Sequence, residues 1–274
     1  MSQRGHLYPY GAAGTGIMSL LQTALEDAGN TNPKENLVVL DSKGIITESR
    51  PGGFGTDSFK AKFAKTGEQV EKIFGEGTAG EKHSLESVIE HFKPDVLIGT
   101  SGVPNTFTEE AIRTMAKYCD KPVIMPFSNP TSQCEALPSD IVKWTNEQAI
   151  IATGSPFEPV PLSNGKSQRI GQGNNVFVFP GIGLGALFAK SKLVTDNMLY
   201  ASAKALAHAV EESDLAELSV YPKINKLRSV TVKVAAEVVR QAKKDGVCQI
   251  EFEEETLESE IEKFMWKPEY KSYL

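Results

Sequence analysis

Cysteine is scarce and falls in no pattern: Cys119, Cys134 and Cys248 are three among 274 residues, widely separated, with no C-x-x-C pair. An odd, scattered set excludes a disulfide framework or a cysteine-built zinc site and fits reduced thiols in a cytoplasm. The four histidines, His6, His83, His91 and His208, form no ligand-spaced pair, so no metal site is expected from this chain alone. Long apolar runs are missing, none approaching the roughly 20 residues that cross a bilayer, and no membrane segment is expected. The opening Met-Ser-Gln-Arg-Gly-His lacks the apolar core of a secretory signal. Positive charge is not in excess: a net charge of −6 leaves no basic face and argues against nucleic-acid binding. No G-x-S-x-G, H-E-x-x-H or G-x-x-x-x-G-K-[ST] occurs, and no internal repeat or low-complexity tract.

What is present is an ordinary globular composition, 40% hydrophobic and 23% charged, long enough for one large domain or two modest ones. Apolar runs and helical patterns alternate. A short run from His6 to Tyr10 meets a Gly/Ala turn, then Ile17, Leu20, Leu21, Ala24 and Ala28 recur at helical spacing up to Gly29-Asn30. Residues 36–41 form a compact apolar run ending in Asp41, as a buried parallel strand does. Residues 50–82, with glycine clusters flanking a charged stretch from Lys60 to Lys72, read as a surface excursion.

Alternation resumes with a helix at 85–92, a strand at 96–99, a helix capped by Thr108, a strand at 123–127, a helix at 139–144 and a strand at 149–153. This βαβαβ order predicts an α/β fold, a Rossmann-like doubly wound parallel sheet. Ser163-Asn164-Gly165 predicts a small hairpin between 160 and 170. Beyond Asn175 the texture turns helical, with Leu227, Val230, Val234 and Val238 as one buried stripe. The expected division is a dinucleotide-binding domain at 1–174, a helical segment at 175–247 that completes a substrate domain, and a tail at 248–274 whose acidic stretch, residues 251–262, docks as a helix.

Two asparagine turns are the most informative motifs: Ser128-Asn129-Pro130-Thr131 and Gly171-Gln172-Gly173-Asn174-Asn175. Asn, Pro and Gly are common turn residues, which is the plain account of both. In an open α/β sheet, however, ligands sit beyond the carboxyl ends of the strands, where uncharged amides suit a small polar substrate and a nicotinamide ring. Gly11-Ala12-Ala13-Gly14 lies between a strand and a helix, where small residues admit a pyrophosphate to the helix N-terminus. Read as G-x-G-x-x-G, its first glycine is replaced by Pro9, and a glycine-rich turn also forms without a ligand. Asp41, followed by Ser42, stands where an acid bonds ribose hydroxyls, and the nearby Lys43 leaves NAD or NADP open. Thr100-Ser101-Gly102 is either a further polar strand end on the same crevice or a plain loop. No His, Lys or Tyr stands at a strand end to take a proton from an alcohol, so no catalytic residue is assigned in this chain.

Taken in order, Gly11 to Ile17, Leu40 to Gly44, Pro94 to Gly99, Phe127 to Thr131, Ala152 to Phe157, Gly171 to Gly181 and Met265 to Tyr270 resemble the NAD-binding, C-terminal portion of the malic enzyme family. The resemblance implies oxidative decarboxylation of L-malate to pyruvate and CO2 with NAD or NADP and a divalent metal, Mg or Mn. It places Gly11 and Gly14 at the pyrophosphate turn and Asp41 at the ribose; Ala12, Ala13, Ser42, Thr100, Ser101 and Gly102 join them as cofactor-binding candidates by their positions in the chain. Asn129 and Asn175 then hold malate, with Asn129 and Asn174 beside the nicotinamide. It also implies a homo-oligomeric complete enzyme. The family's proton-transferring Tyr and Lys, its malate-binding Arg and its acidic metal ligands belong to an N-terminal half that this sequence does not contain. The isolated chain is therefore expected to bind cofactor without turnover. A malolactic enzyme portion and a non-catalytic dinucleotide-binding module remain as alternatives.

Overall fold

The computed structural model describes residues 6–9, 12–50 and 58–270. It opens with β1 (His6–Pro9), α1 (Ala12–Asp27), β2 (Leu37–Asp41) and β3 (Gly44–Ile45), then two short helices, α2 (Ser58–Phe63) and α3 (Gly67–Phe74). The alternating order continues through α4 (Leu85–Phe92), β4 (Val96–Gly99), α5 (Glu109–Tyr118), β5 (Val123–Pro126), α6 (Pro138–Trp144) and β6 (Ile150–Thr153). A hairpin of β7 (Val160–Pro161) and β8 (Ser167–Gln168) precedes β9 (Gly171–Gln172). The remaining α-helices are α7 (Phe179–Phe188), α8 (Asp196–His208), α9 (Glu212–Ala216), α10 (Leu227–Lys244) and α11 (Leu257–Phe264). None of the described helices is long and apolar enough to cross a membrane.

Local chemistry sets the helix ends. Thr108 accepts the Ala111 N–H and places Glu109 and Glu110 in the first turn of α5, where acids oppose the positive end of the helix dipole. At α3, Thr66 and Gln69 exchange bonds in a capping box. Helix α1 closes where expected: the Gly29 N–H reaches Glu26 O and the Asn30 N–H reaches Leu25 O, both at 2.9 Å, the paired bonds of a Schellman ending.

Among the described residues the main sheet runs β3-β2-β1-β4-β5-β6-β9, parallel throughout except for the antiparallel β2–β3 pair. The chain winds outward from β1 through β2 to β3, then crosses to β4 on the other side of β1. Winding in both senses makes the sheet doubly wound and puts the switch point between β1 and β4. Side-chain alternation divides the core between the two faces. Val38, Leu40, Leu97, Ile124 and Ile151 pack with residues of α4, α5 and α6, such as Val88, Ile112 and Ile141. Leu37, Val39 and Ile98 pack on the other face with Met18 of α1 and Phe63 of α2.

Two expectations change here. Of the supposed surface excursion, residues 51–57 lie outside the described residues, while the rest is partly core. Phe63 and Val70 are buried, because α2 lays an aromatic on the sheet face and the amphipathic α3 turns its one apolar stripe inward. Gly171-Gln172, expected as a turn, is strand β9, paired with Ala152 and Thr153 of β6. A Gly-Gln dipeptide has little strand preference of its own, so pairing at the sheet edge decides its conformation.

Contacts divide the chain into two units, Met1–Gly173 with Ala216–Val220, and Asn174–Leu215 with Tyr221–Leu274. The second is helical. Its core is the buried face of α10, including Val230, Val234 and Val238, joined by Phe177, Met198, Leu257 and Ile261. Helix α7 approaches α10 closely because Gly181 and Gly185 lack side chains. A Cβ on Gly181 would lie 2.5 Å from Val234 Cγ1, and one on Gly185 would lie 2.7 Å from Ala235 O. The docking helix near the end is α11, a little later than its acidic composition suggests, with Phe264 edge-on to Phe188 of α7 at 5.6 Å between ring centres.

Candidate functional site

Parallel pairing places the carboxyl ends of β1, β2, β4, β5, β6 and β9 on one edge of the sheet. At the switch point, β1 ends at Pro9 and α1 begins at Ala12. Gly11 lies outside the described residues. Ala12, Ala13 and Gly14 form the first turn of α1, whose backbone N–H groups have no partner within the helix and which carries no acid. That is a donor set for an anion at the positive end of the helix dipole.

Asp41 ends β2, and Ser42 is exposed in the turn that follows. The Asp41 carboxylate is already engaged. Arg50 donates through both terminal nitrogens, Nη1 to Oδ2 at 2.7 Å and Nη2 to Oδ1, and Lys60 Nζ reaches Oδ2 at 3.3 Å. The Lys43 N–H donates to Oδ1 at 2.9 Å. Burial pushes the Asp41 carboxyl upward, but the Arg50 hydrogen bonds, the Lys43 N–H, the Arg50 charge and Lys60 outweigh it and hold the group below the usual carboxylate range. A folded-state value below the unfolded one contributes stability above the unfolded value near 3.9, lost as pH falls through the folded value. The Asp41→Asn variant should therefore lose part of the acid dependence of stability below about pH 4, read by thermal melts across that range. Identical acid profiles for the two proteins would show that the cluster contributes nothing to folding.

The next strand ends are tied together by a residue that sequence reasoning passed over. Glu135, fully buried, follows a short 3-10 turn after β5. Its Oε1 accepts the Ser101 N–H at 2.9 Å and the Ser101 hydroxyl at 3.0 Å, beyond β4. The same oxygen accepts the Ser128 hydroxyl, and Oε2 accepts the Ser128 N–H at 3.3 Å, beyond β5. The Ser128 oxygen in turn accepts the Gly102 N–H at 2.8 Å. Asn129 is exposed; its Oδ1 accepts the Ser155 hydroxyl beyond β6, and Nδ2 donates to Phe127 O at 3.4 Å. Ser101, Gly102 and Ser128 thus form one hydrogen-bonded set with Glu135 in the first unit, and Thr100 and Asn129 are their chain neighbours.

The second asparagine turn divides. Gly171 and Gln172 stay with the sheet, where Gln172 donates to Gly154 O at 3.2 Å and the Gly173 N–H to Thr153 O at 2.8 Å. Asn174 and Asn175 open the helical unit, both exposed. The Asn174 side chain accepts the Val176 N–H at 2.9 Å and so caps a 3-10 turn. Sequence reasoning also missed Arg50 and Lys60. Their only signal was positive charge within a long insertion, whereas Glu135 showed only as a lone acid between Cys134 and Ala136.

A doubly wound sheet with a helix N-terminus at its switch point, and small polar residues on the neighbouring strand ends, belongs to the dinucleotide-binding class. Comparison with known proteins narrows this. The family model for the malic enzyme NAD-binding domain matches residues 3–243. Over 265 residues the chain is 42% identical to the NAD-dependent malic enzyme of Acinetobacter baylyi, covering 96% of this chain and 45% of that protein. The NAD-dependent malic enzyme of Aliivibrio fischeri strain MJ11 is 37% identical, with 96% of this chain and 46% of that protein covered. The crystal structure of the Entamoeba histolytica malic enzyme shares the fold, with a TM-score of 0.69 at 24% identity, over 95% of this chain and 47% of that one. The malic enzyme from Pyrococcus horikoshii Ot3 gives 0.65 at 25% identity, over 93% and 52%. This chain belongs to the malic enzyme NAD-binding domain family, and it spans about half the length of the curated relatives it matches.

Proposed function

We propose that this chain is the cofactor-binding part of an NAD-dependent malic enzyme, a cytoplasmic, homo-oligomeric enzyme that converts L-malate to pyruvate and CO2. Bound NAD would supply the chemistry by accepting hydride from the malate carbinol carbon. The chain's own residues bind and orient. The observation that carries this reading is the start of α1 at the switch point with no acid in its first turn; there the backbone N–H groups of Ala12, Ala13 and Gly14 would receive the pyrophosphate. Gly11 precedes them in sequence and is assigned to the same role. Asp41 and Ser42 serve the adenosine ribose, and Thr100, Ser101 and Gly102 flank the cofactor beyond β4. By the family resemblance, Asn129 and Asn175 are assigned to malate, and Asn129 and Asn174 to the cofactor. The division at 1–174, 175–247 and 248–274 follows these roles.

Among the described residues no three His, Cys, Asp or Glu side chains gather into a set able to hold a metal ion. We assign the divalent ion and the proton-transfer groups, as the family resemblance implies, to the part of the longer relatives that this chain does not match. The Arg50–Lys60 cations around Asp41 favour a second reading of the cofactor, since a cation beside the ribose acid accommodates a 2′-phosphate.

Calorimetric titration of the chain with NAD and with NADP tests both points. NAD is expected to bind, and NADP binding comparably would favour the second reading. Failure to bind either dinucleotide would overturn the proposal. A malate oxidation assay with Mn is expected to show no turnover by this chain alone, and robust NADH production would overturn the assignment of acid–base chemistry elsewhere.

A further inference from the structure

We propose that Glu135 is a positioning residue for the site: it holds the loop beyond β4 and the loop beyond β5 in one geometry, and so couples cofactor-contacting to substrate-contacting backbone. The proposal rests on the dinucleotide reading above and adds to it a group that touches neither ligand. Three observations carry it. A fully buried carboxylate spends all four of its hydrogen bonds on just two residues, Ser101 and Ser128, which lie 27 positions apart in sequence and beyond different strands. The Ser128 hydroxyl relays the link, donating to Glu135 while accepting the Gly102 N–H, so Gly102 is held through it as well. Finally, β4 ends in Gly99, and a Cβ there would fall onto the Glu135 carboxyl carbon. The strand end is cut back where the carboxylate enters.

A buried carboxylate is an expensive way to brace a loop unless every oxygen is satisfied, because an unpaired charge away from water is strongly unfavourable. The residues it holds are Ser101 and Gly102, assigned to the cofactor, and Ser128, the chain neighbour of Asn129, which is assigned to malate. Rigid support of this kind behind a binding residue is what keeps its donors aimed.

Glu135→Gln tests this with little change of volume. The amide nitrogen must replace one oxygen and meets either the Ser128 N–H or the Ser101 donors, so at least one bond becomes a donor–donor contact. NAD affinity measured by calorimetry, well below the melting temperature, should fall about tenfold, the equivalent of one buried hydrogen bond. Ser128→Ala, which removes the relay alone, should weaken NAD by a similar factor. The double variant should be no weaker than about the worse single one, because both act through one network. Backbone amide NMR shifts of Ser101, Gly102 and Ser128 should move together in Glu135→Gln, with those of Ile112 and Val142 in the core unmoved.

A folded variant with a lower melting temperature but wild-type NAD affinity would overturn the proposal, since Glu135 would then be a stability element only. So would a shift confined to Ser128, or additive losses in the double variant. If Glu135→Gln does not fold, Ser128→Ala decides by the same affinity and NMR criteria. If the unaltered chain binds no dinucleotide, the dinucleotide reading falls, while the NMR comparison still decides whether Glu135 couples the two loops.

Discussion

Replacing Phe107 by alanine should lower the unfolding free energy by about 3–5 kcal/mol. Phe107 has 1% of its surface exposed and is among the largest fully buried side chains of the first unit. It comes immediately before Thr108, the N-cap of α5, and shares the core with Ile112, the fourth residue of that helix. That pair has the spacing of a hydrophobic staple, which sets the angle at which the chain enters the helix. The Phe107 N–H also donates to the Glu135 backbone oxygen at 3.1 Å, tying the start of α5 to the loop beyond β5. The alanine variant keeps this backbone bond and the Thr108 cap, so the loss isolates the buried ring and the cavity it leaves. Domains are commonly stable by only about 5–15 kcal/mol, so the urea midpoint should fall conspicuously. Phe107→Leu, which refills most of the space, should cost about 1–1.5 kcal/mol. A loss below about 1 kcal/mol for the alanine variant would mean that the loop closes over the gap and that the staple has little weight.

As the pH rises from about 8 to about 10.4, Lys65 should contribute about 3 kcal/mol of added stability. Lys65 has only 2% of its surface exposed. Its ammonium donates to the backbone oxygens of Lys34 and Glu35, just ahead of the amino end of β2. Burial brings it down to about 8; the Glu35 charge opposes that shift and the Lys72 charge adds to it. The folded protein therefore releases this proton at lower pH than the unfolded chain does. Between the two values the unfolded state binds more protons, so raising the pH favours folding. Below about pH 8 both states carry the charge, and the folded one bears the cost of burying it. Other groups also titrate in this range, so the measurement is the difference between the wild-type chain and Lys65→Met in urea-unfolding free energy across it. Parallel pH profiles for the two would refute the assignment. Although a lysine near 8 has the proton affinity of a catalytic base, Lys65 lies at the end of β2 opposite Asp41, away from the strand ends where ligands gather. Its perturbation is structural.

Much of the first unit was legible because its signals are local. Helix α4 and strand β4 lie on the residues expected, and β5, α6 and β6 within a residue or so, because a buried parallel strand shows as a short apolar run and a covering helix shows its stripe. Caps such as Thr108 and the Gly29-Asn30 ending are chemistry of adjacent residues and need no fold to be seen. The site was legible only as a row of small polar strand ends. Asp41 was visible as an acid after a strand, but Arg50 and Lys60, which grip it, come from beyond a turn and from a separate helix. Glu135 was invisible for the same reason, since its partners Ser101 and Ser128 are defined by which strands lie side by side.

The sequence by itself determined the class of the sheet, the order of its elements and the family to which the ordered motifs belong. Each of these is written in residues close together along the chain, as periodicity, caps and turn chemistry. Only the tertiary structure decided that Gly171-Gln172 is a strand, that Asp41 is engaged by two cations, and that a buried glutamate binds two strand ends together. Those outcomes depend on neighbours distant in sequence, brought together by the pairing of β6 with β9 and of β4 with β5 and by the placing of Arg50 and Lys60 beside the end of β2. Local preference carries no information about such partners; hydrogen-bond and charge satisfaction in the packed chain selects them.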